Sequence, residues 1–151
     1  MNRMEFKAKR FGELTNDELY RILQLRSEVF VVEQNCVYLD MDNNDQDAIH
    51  VMGFLENKIH AYTRIVPKGL IYSDYVSIGR VITSEEARNK SYGYPLMKHS
   101  IGAAKKTFKE KIKISAQLYI KGFYENLGFV STGEEYLEDG IPHIAMIFRG
   151  N

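Results

Sequence analysis

A short basic stretch rich in small residues, residues 88–93, is where the sequence most clearly offers chemistry. Arg88 and Lys90 bring positive charge, while Ser91 and Gly93 are small enough to let an anion reach the backbone. A strand is predicted before this stretch and a helix after it, so unpaired amides and the positive end of the helix dipole would converge there. The pattern predicts a phosphate or polyanion site. A surface connection with incidental basic residues has the same composition, and the stretch alone does not separate the two.

Two charged residues are further candidates for chemistry. Arg26 falls on the apolar stripe of a predicted helix, where an unpaired charge would be very costly. Glu33 lies two helical turns later, so the two side chains are expected on one face. A structural Arg26–Glu33 pair and a substrate-binding role for Arg26 both remain open. Glu33 could also be the base that removes a proton from an incoming amine.

Strand alternation groups a second set of polar residues. His60, Tyr62 and Arg64 are expected on one face of a central strand, which predicts a cleft wall with substrate contacts from Tyr62 and Arg64. Solvent exposure explains His60 more simply. His143, which opens the last strand, could be a substrate contact, a second base or a structural residue. His50 lies in an apolar strand and is expected to be a core histidine with satisfied hydrogen bonds.

The first half of the chain predicts one strand, one helix and three more strands. The strand covers residues 5–11, and a capping box from Thr15 to Glu18 begins the helix, whose apolar stripe reaches Phe30. An acidic, amide-rich loop follows at residues 38–47. Two strands, 49–55 and 58–65, flank a tight turn at Glu56 and Asn57, and a third covers residues 75–83.

The second half predicts two helices and three strands. A long helix begins near Pro95, a strand covers residues 111–116, and a short helix around Tyr124 ends at Gly128. Strands 129–132 and 143–148 follow, joined by a turn at residues 139 and 140. The order β-α-β-β-β-α-β-α-β-β predicts a mixed α/β (α+β) sheet in a single domain, residues 1–151.

Composition excludes several classes of protein. The 151 residues include 20 basic and 20 acidic side chains, a balance that argues against a broad nucleic-acid-binding surface. No segment approaches the ~20 consecutive apolar residues that span a bilayer, and the start lacks the apolar core of a signal peptide. We therefore expect a cytoplasmic protein without nucleic-acid or membrane partners. Its oligomeric state stays open, with a homodimer among the options.

No metal site is expected either. Cys36 is the only cysteine, which excludes an internal disulfide or a thiolate cluster. The acidic residues of loop 38–47 invite a calcium-loop interpretation, but no glycine follows Asn44, and Val51 stands where the bidentate glutamate should be. Nothing near Cys36 in the sequence supports a nucleophile, so we expect it to be a small, tucked-away residue.

With this order of elements, the basic stretch resembles the pyrophosphate loop of the GNAT superfamily of N-acetyltransferases, Arg/Gln-x-x-Gly-x-Gly/Ala. Ser91 stands where the first glycine is usual. The resemblance implies a twisted, mostly antiparallel sheet with one parallel pair splayed at the CoA site and helices on either side. It also implies a set of residues that bind the acetyl-CoA co-substrate through its pantetheine arm and pyrophosphate: Val81, Ile82, Thr83, Arg88, Asn89, Lys90, Ser91, Tyr92, Gly93 and Tyr94.

Further segments resemble the ElaA-like branch of that superfamily: residues 25–36, 61–65, 78–82 and 138–144. The resemblance implies that Tyr124 protonates the departing CoA thiolate, although Gly122 replaces an asparagine common in the family. The predicted function is direct acetyl transfer from acetyl-CoA to a primary amine, the acceptor and the acyl preference being open. A non-catalytic acyl-CoA-binding module and a small nucleotide- or phosphate-binding regulator are the alternatives.

Overall fold

The computed structural model describes residues 3–150, which form one seven-stranded sheet with three α-helices. The elements, in chain order, are β1 Glu5–Arg10, α1 Asn16–Arg26, β2 Ile49–Leu55, β3 Lys58–Val66, β4 Val76–Thr83, α2 Gly93–Phe108, β5 Ile112–Gln117, α3 Lys121–Asn126, β6 Phe129–Glu138 and β7 Ile141–Phe148. The strand order is β1-β2-β3-β4-β5-β7-β6. All neighbours pair antiparallel except β4 and β5, which are parallel. This confirms the predicted GNAT fold.

Local sequence signals account for most element boundaries. The Thr15 side chain accepts a hydrogen bond from the Glu18 amide, and the Glu18 carboxylate accepts one from the Thr15 amide, so the predicted capping box begins α1. Glu56 and Asn57 have φ angles of 50° and 66°, which suits the tight hairpin predicted between β2 and β3.

Three boundaries differ from the prediction. Helix α1 runs on into a π-helical segment, Ser27–Glu33, and α2 begins at Gly93 with Pro95 inside its first turn. Strands β6 and β7 form a longer hairpin than expected, because Asp139 and Gly140 both adopt positive φ and make a tight turn. That hairpin carries β6 on to Glu138.

The core has two parts, one on each face of the sheet. Helix α2 packs against the central strands and α3 against their C-terminal neighbours, burying the larger apolar cluster, which includes Ile65, Leu96 and Met146. Helix α1 covers the opposite face of β2–β4 with a smaller cluster around Leu25 and Tyr62. Burial of these side chains is the main stabilising contribution to the fold.

Strands β4 and β5 diverge after a short paired region. Only Val76 with Ile112 and Ser77 with Lys113 are in register, yet β4 continues to Thr83 and β5 to Gln117. A β-bulge helps to bend β4 away: Tyr62 lies opposite Ile82 but Arg64 opposite Gly79, so β4 has one extra residue there. The divergence opens the sheet at its centre.

Candidate functional site

A cleft of about 610 Å³ lies where β4 and β5 separate. One wall is the second half of β4, residues 78–83. The other combines Ile114 and Ser115 of β5 with Tyr124 of α3, and the β6–β7 hairpin contributes Glu138, Asp139 and His143. The N-terminal end of α2 lies beside the cleft through Gly93 and Leu96. The sheet thus presents open backbone, a helix N-terminus and polar side chains to one space.

The β4 bulge shapes the first wall. Arg80 has a φ of 51°, the left-handed conformation of an extra strand residue. Its Nε donates to Asp40 Oδ1 at 2.7 Å and its guanidinium also reaches the Asp40 carbonyl oxygen at 3.0 Å, which holds the distorted backbone in place. Arg80 and Val81 have no register partner on β3, and both line the cleft. Gly79 was the one sequence signal for the bulge, and the prediction missed it.

The basic loop takes the shape that an anion site needs. Ser84 caps a single 3₁₀ turn, Glu85–Ala87, and Asn89 and Ser91 then adopt left-handed φ angles of 62° and 63°. Helix α2 starts at Gly93, so the Gly93 and Tyr94 amides have no carbonyl partner within the helix. Pro95 has no N–H, and the Leu96 amide donates to the Tyr92 carbonyl oxygen at 3.0 Å. The predicted loop therefore ends on a helix N-terminus, as its composition suggested.

The predicted co-substrate residues divide between two cavities. Val81, Ile82, Thr83, Arg88 and Gly93 line the cleft. Two others line a separate cavity of about 870 Å³ between the start of the described chain and α2: Lys90 and Tyr92. Three belong to neither lining: Asn89, Ser91 and Tyr94.

Tyr124 presents its phenol to the cleft. Only 6% of its surface is exposed, and its ring makes edge-to-face contacts with Phe123 at 5.1 Å and Phe129 at 5.9 Å between centroids. Within residues 3–150 the hydroxyl has no hydrogen-bond partner. Burial, with a smaller contribution from Tyr119, raises the pKa of Tyr124 to about 12. The phenol therefore keeps its proton at neutral pH and can donate it.

Arg26 and Glu33 do not pair with each other, so the Arg26–Glu33 interpretation is wrong. The π-helical segment between them has a wider turn, and it rotates Glu33 off the face of Arg26. Arg26 is fully buried: its Nε donates to Asp40 Oδ2 and its Nη1 to Asp45 Oδ1, both at 2.7 Å. Glu33 Oε1 accepts from Arg88 Nη2 at 2.7 Å and so ties α1 to the basic loop.

The predicted cleft wall at Tyr62 and Arg64 is also a wrong expectation. Tyr62 is 0% and Arg64 2% exposed, and neither lines the cleft, because loop 40–47 folds back over this face of β3. Arg64 Nη1 donates to Asp42 Oδ1 at 2.7 Å and to Asp45 Oδ1 at 3.0 Å. In this conformation Arg26, Tyr62 and Arg64 have no surface to offer a substrate.

The buried cluster under loop 40–47 is electrostatically closed. Partial burial pushes the pKa of Asp42 and Asp45 up, but hydrogen bonds and charge from the arginines outweigh it and hold both pKa values below their ordinary range. His50 bonds to the Tyr62 hydroxyl at 2.6 Å and the Asp45 carbonyl at 2.9 Å, which confirms a satisfied core histidine. Burial lowers the pKa of His50.

His60 and Cys36 complete the predicted residues. His60 is 8% exposed rather than solvated, because its Nδ1 bonds to Ser84 Oγ at 2.8 Å beside the basic loop. Burial lowers its pKa. Cys36 is a free, partly buried thiol.

His143 lies on the cleft floor and is held from two sides. It is 6% exposed, its Nδ1 lies 2.7 Å from the Ile141 carbonyl oxygen, and its ring stacks on Tyr136 at 6.1 Å. Tyr136 is in turn hydrogen-bonded to Ser115 of β5. Since a carbonyl only accepts, Nδ1 carries a proton and Nε2 of the neutral ring is free to accept one.

Glu138 and Asp139, next to His143, were missed as candidates. Glu138 Oε2 lies 3.4 Å from His143 Nε2, and both carboxylates line the cleft. Only the family-like segment 138–144 pointed to them in the sequence. Their carboxylates face the cleft because the hairpin turn places them at its rim.

Other kinds of site are absent from the described residues. Across residues 3–150 no three His, Cys, Asp or Glu side chains are grouped so as to hold a metal ion. In the same range, none of the helices combines the length and apolar character that crossing a membrane requires.

Comparisons with known proteins agree with this geometry. The family described as Acetyltransferase (GNAT) domain matches residues 16–149. Protein ElaA of Escherichia coli (strain K12) is 40% identical over 146 residues, 95% of each chain. The crystal structure of Escherichia coli ElaA superimposes with a TM-score of 0.89 at 37% identity, over 97% of this chain and 100% of that one. An acyl-CoA N-acyltransferase from Pseudomonas aeruginosa gives a TM-score of 0.87 at 38% identity, covering 97% and 99%.

Proposed function

Because the chain belongs to the GNAT acetyltransferase family, in its ElaA-like branch, and is an acyltransferase, we propose that it moves an acetyl group from acetyl-CoA to a primary amine. The observation that carries the proposal is the buried, unpartnered phenol of Tyr124 in the cleft between β4 and β5, opposite the bulged strand and beside the basic loop. The ring of Tyr124 is packed while its hydroxyl is open to the cleft, an arrangement typical of a donor that acts on a bound substrate.

The residues present fit an acyl-CoA. The open amides at the start of α2 and the charge of Arg88 suit a pyrophosphate, and Lys90 adds charge to the same loop. The backbone of Val81, Ile82 and Thr83 lines the cleft as a strand edge to which an amide-containing arm could bond. The other loop positions, from Asn89 to Tyr94, supply backbone curvature and small side chains rather than cleft contacts.

Two side chains then handle protons. A neutral amine attacks the thioester carbonyl carbon, an N–C bond forms and the C–S bond breaks. We assign the amine proton to His143 Nε2, which faces the cleft, and the proton received by the thiolate to the Tyr124 hydroxyl. After the reaction Tyr124 takes up a proton from solvent, and His143 releases to solvent the proton that it took from the amine. A backbone amide near Val81 would stabilise charge on the carbonyl oxygen.

Glu33, the other candidate base, has a different position. Its carboxylate is bound to Arg88 at 2.7 Å and does not line the cleft, so we propose that it chiefly holds the basic loop against α1. The free thiol of Cys36 suits the reducing cytoplasm, where acetyl-CoA is available, and we propose that location.

The test is release of CoA thiol from acetyl-CoA across a panel of amines, with Tyr124→Phe as the diagnostic variant. Loss of the acid should lower kcat by about 100-fold, since general acid catalysis contributes roughly 10²–10⁴. Tyr20→Phe removes the same hydroxyl from an exposed position on α1 and should leave kcat unchanged. Tight acetyl-CoA binding without turnover of any amine would instead favour a non-catalytic binding module. Preference for ATP over CoA would favour a nucleotide-binding regulator.

A further inference from the structure

The cleft carries carboxylates that its own arginines do not neutralise. Its charged lining consists of Arg80, Arg88, Glu138 and Asp139, besides His143. Arg80 has Asp40 at 2.7 Å and Arg88 has Glu33 at 2.7 Å, so each arginine is already paired. Within residues 3–150, neither Glu138 nor Asp139 has an arginine or lysine nitrogen within 4.0 Å. A substrate carboxylate would meet arginines that are already paired, whereas a substrate ammonium would meet the Glu138 and Asp139 carboxylates, of which Glu138 has only His143 Nε2 close to it.

His143, which lines the same cleft, also requires a hydrogen-bond donor. With Nδ1 of His143 donating to the Ile141 carbonyl oxygen, Nε2 of the neutral ring is an acceptor. It faces Glu138 Oε2, another acceptor, at 3.4 Å. Two converging acceptors are stable only when a proton or a donor group lies between or beside them. The His143 ring is 6% exposed, whereas the Glu138 side chain is 54% exposed, so an ammonium N–H that satisfies both atoms would replace water at the carboxylate.

The acidic loop 40–47 cannot play this part, although its composition suggests it. Asp40, Asp42 and Asp45 each accept from an arginine at 2.7 Å, and Asp40 and Asp45 are buried. Their charge is satisfied within the protein. The free negative charge therefore lies at the β6–β7 turn, where Glu138 and Asp139 are neighbours in sequence.

We infer that the acceptor is a small amine with a second positive charge, such as a diamine or polyamine, rather than an amino acid. The reacting nitrogen lies at His143 Nε2, and the second ammonium lies between Glu138 and Asp139. This inference rests on the proposed acyl transfer. The inference adds to the proposed acyl transfer the class of amine that is accepted and the two residues that select this amine.

The experiment compares three five-carbon amines that differ only at the far end: cadaverine, pentylamine and δ-aminovalerate. Acetyl-CoA-dependent thiol release is measured for each. We expect kcat/KM for cadaverine to exceed that for pentylamine by about tenfold, the effect of one charge-assisted hydrogen bond, and δ-aminovalerate to be the poorest substrate. In the doubly substituted protein E138Q/D139N the ratio of kcat/KM for cadaverine to kcat/KM for pentylamine should fall to about 1. The ratio is the readout because Glu138 also contacts His143 Nε2. Asparagine tolerates the left-handed φ of 53° at position 139, so the turn should survive.

Glu135→Gln is the matched control. It removes one carboxylate from the same strand, at an exposed position outside the cleft, and should leave the cadaverine preference intact. Turnover of pentylamine with no preference for cadaverine would overturn the inference and leave acyl transfer standing. If no amine turns over, the binding of cadaverine to the CoA-loaded protein is measured by calorimetry. Binding that is about tenfold weaker in E138Q/D139N supports the inference. No binding, or equal binding to the two proteins, refutes it.

Discussion

Two regions of this protein use the same residue types to opposite ends. Under loop 40–47, Arg26, Arg64 and Arg80 meet Asp40, Asp42 and Asp45 in a closed cluster whose charges balance. In the cleft, the Tyr124 hydroxyl has no hydrogen-bond partner within residues 3–150, and the Glu138 carboxylate has only His143 Nε2 close to it, at 3.4 Å. The first arrangement stabilises a particular packing of loop on strand, and the second leaves capacity for a substrate. Neither residue type nor incomplete pairing alone identifies a site, because Arg64 Nε in the buried cluster also lacks a hydrogen-bond partner within the described residues; a position on the cleft does.

Removing one member of the closed cluster should have the largest effect on stability. Arg26→Met leaves Asp40 with Arg80 and Asp45 with Arg64 as their remaining arginine partners, so we expect the free energy of unfolding to fall by about 3 kcal/mol, the lower end of the cost of breaking a buried ion pair. Urea denaturation followed by circular dichroism measures it. Arg149→Met, at an exposed position, is the control and should change stability by less than about 0.5 kcal/mol. A loss below about 1 kcal/mol for Arg26→Met would show that the cluster does not depend on this residue.

Substitution of His143, the proposed general base, should affect catalysis rather than folding. His143→Gln should lower kcat/KM for the amine by about 10²-fold, the loss of a general base, while the unfolding midpoint changes little. The KM for acetyl-CoA should stay constant, because His143 is not among the residues that we propose to bind acetyl-CoA. Steady-state kinetics on both substrates give the answer.

Two further variants distinguish His143 from Glu33 as the general base. His99→Gln lies outside the cleft and should be neutral. Glu33→Gln should mainly raise the KM for acetyl-CoA by loosening the basic loop. A larger kcat loss in Glu33→Gln than in His143→Gln would reverse the assignment.

Acid should weaken the closed cluster in a defined order. His50 has a lowered pKa in the folded protein, so unfolding takes up a proton and stability falls as the pH drops below about 6.5. Asp42 and Asp45 also have lowered pKa values, and their contribution is lost as the pH falls below about 4. Urea midpoints between neutral pH and pH 3 report both stages.

Asp42→Asn isolates the lower stage. It removes one of the two carboxylates, so the decline below about pH 4 should be shallower than in the unsubstituted protein, while the decline nearer pH 6 should persist. An unchanged slope below pH 4 would mean that other carboxylates cause the acid sensitivity.

The smallest expected effect concerns the basic loop. Ser91 has a φ of 63°, a conformation that costs a residue with a Cβ about 1–2 kcal/mol. Glycine removes that strain but makes the unfolded chain more flexible, which offsets part of the gain. Ser91→Gly should therefore stabilise the protein by about 0.5–1 kcal/mol. Thermal denaturation measures it. Ser73→Gly, exposed and without positive φ, should be neutral or slightly destabilising. Equal losses at both positions would remove the conformational argument.

The sequence predicted the fold because its signals are local. Capping by Thr15 and the turn at Glu56 and Asn57 depend on neighbouring residues, and the start of α2 predicted near Pro95 lies two residues from the observed start at Gly93. The cleft itself followed from the resemblance that connected the basic loop with Tyr124. These features needed no knowledge of distant contacts.

The partners of Arg26 could not be predicted in the same way. They come from a loop that folds back over β3, and a π-helical segment changes the helical spacing on which the Arg26–Glu33 pairing relied. The same loop buries Tyr62. Strand alternation therefore predicted which face of β3 carries Tyr62, but it did not predict that this face is covered. Glu138 gains its role from the length of the β6–β7 hairpin, which depends on cross-strand pairing. Long-range contacts thus account for each of these misses.

The ion pair between Glu33 and Arg88 links the two substrates in an energetic sense. An anion bound at the basic loop competes with Glu33 for Arg88, and a displaced Glu33 leaves a carboxylate unpaired beside Phe30 and Gln34, which line the cleft. An incoming ammonium is then attracted more strongly than before. Because such coupling is reciprocal, the ammonium in turn strengthens anion binding. A single salt bridge would thus couple the affinities of the protein for the two substrates.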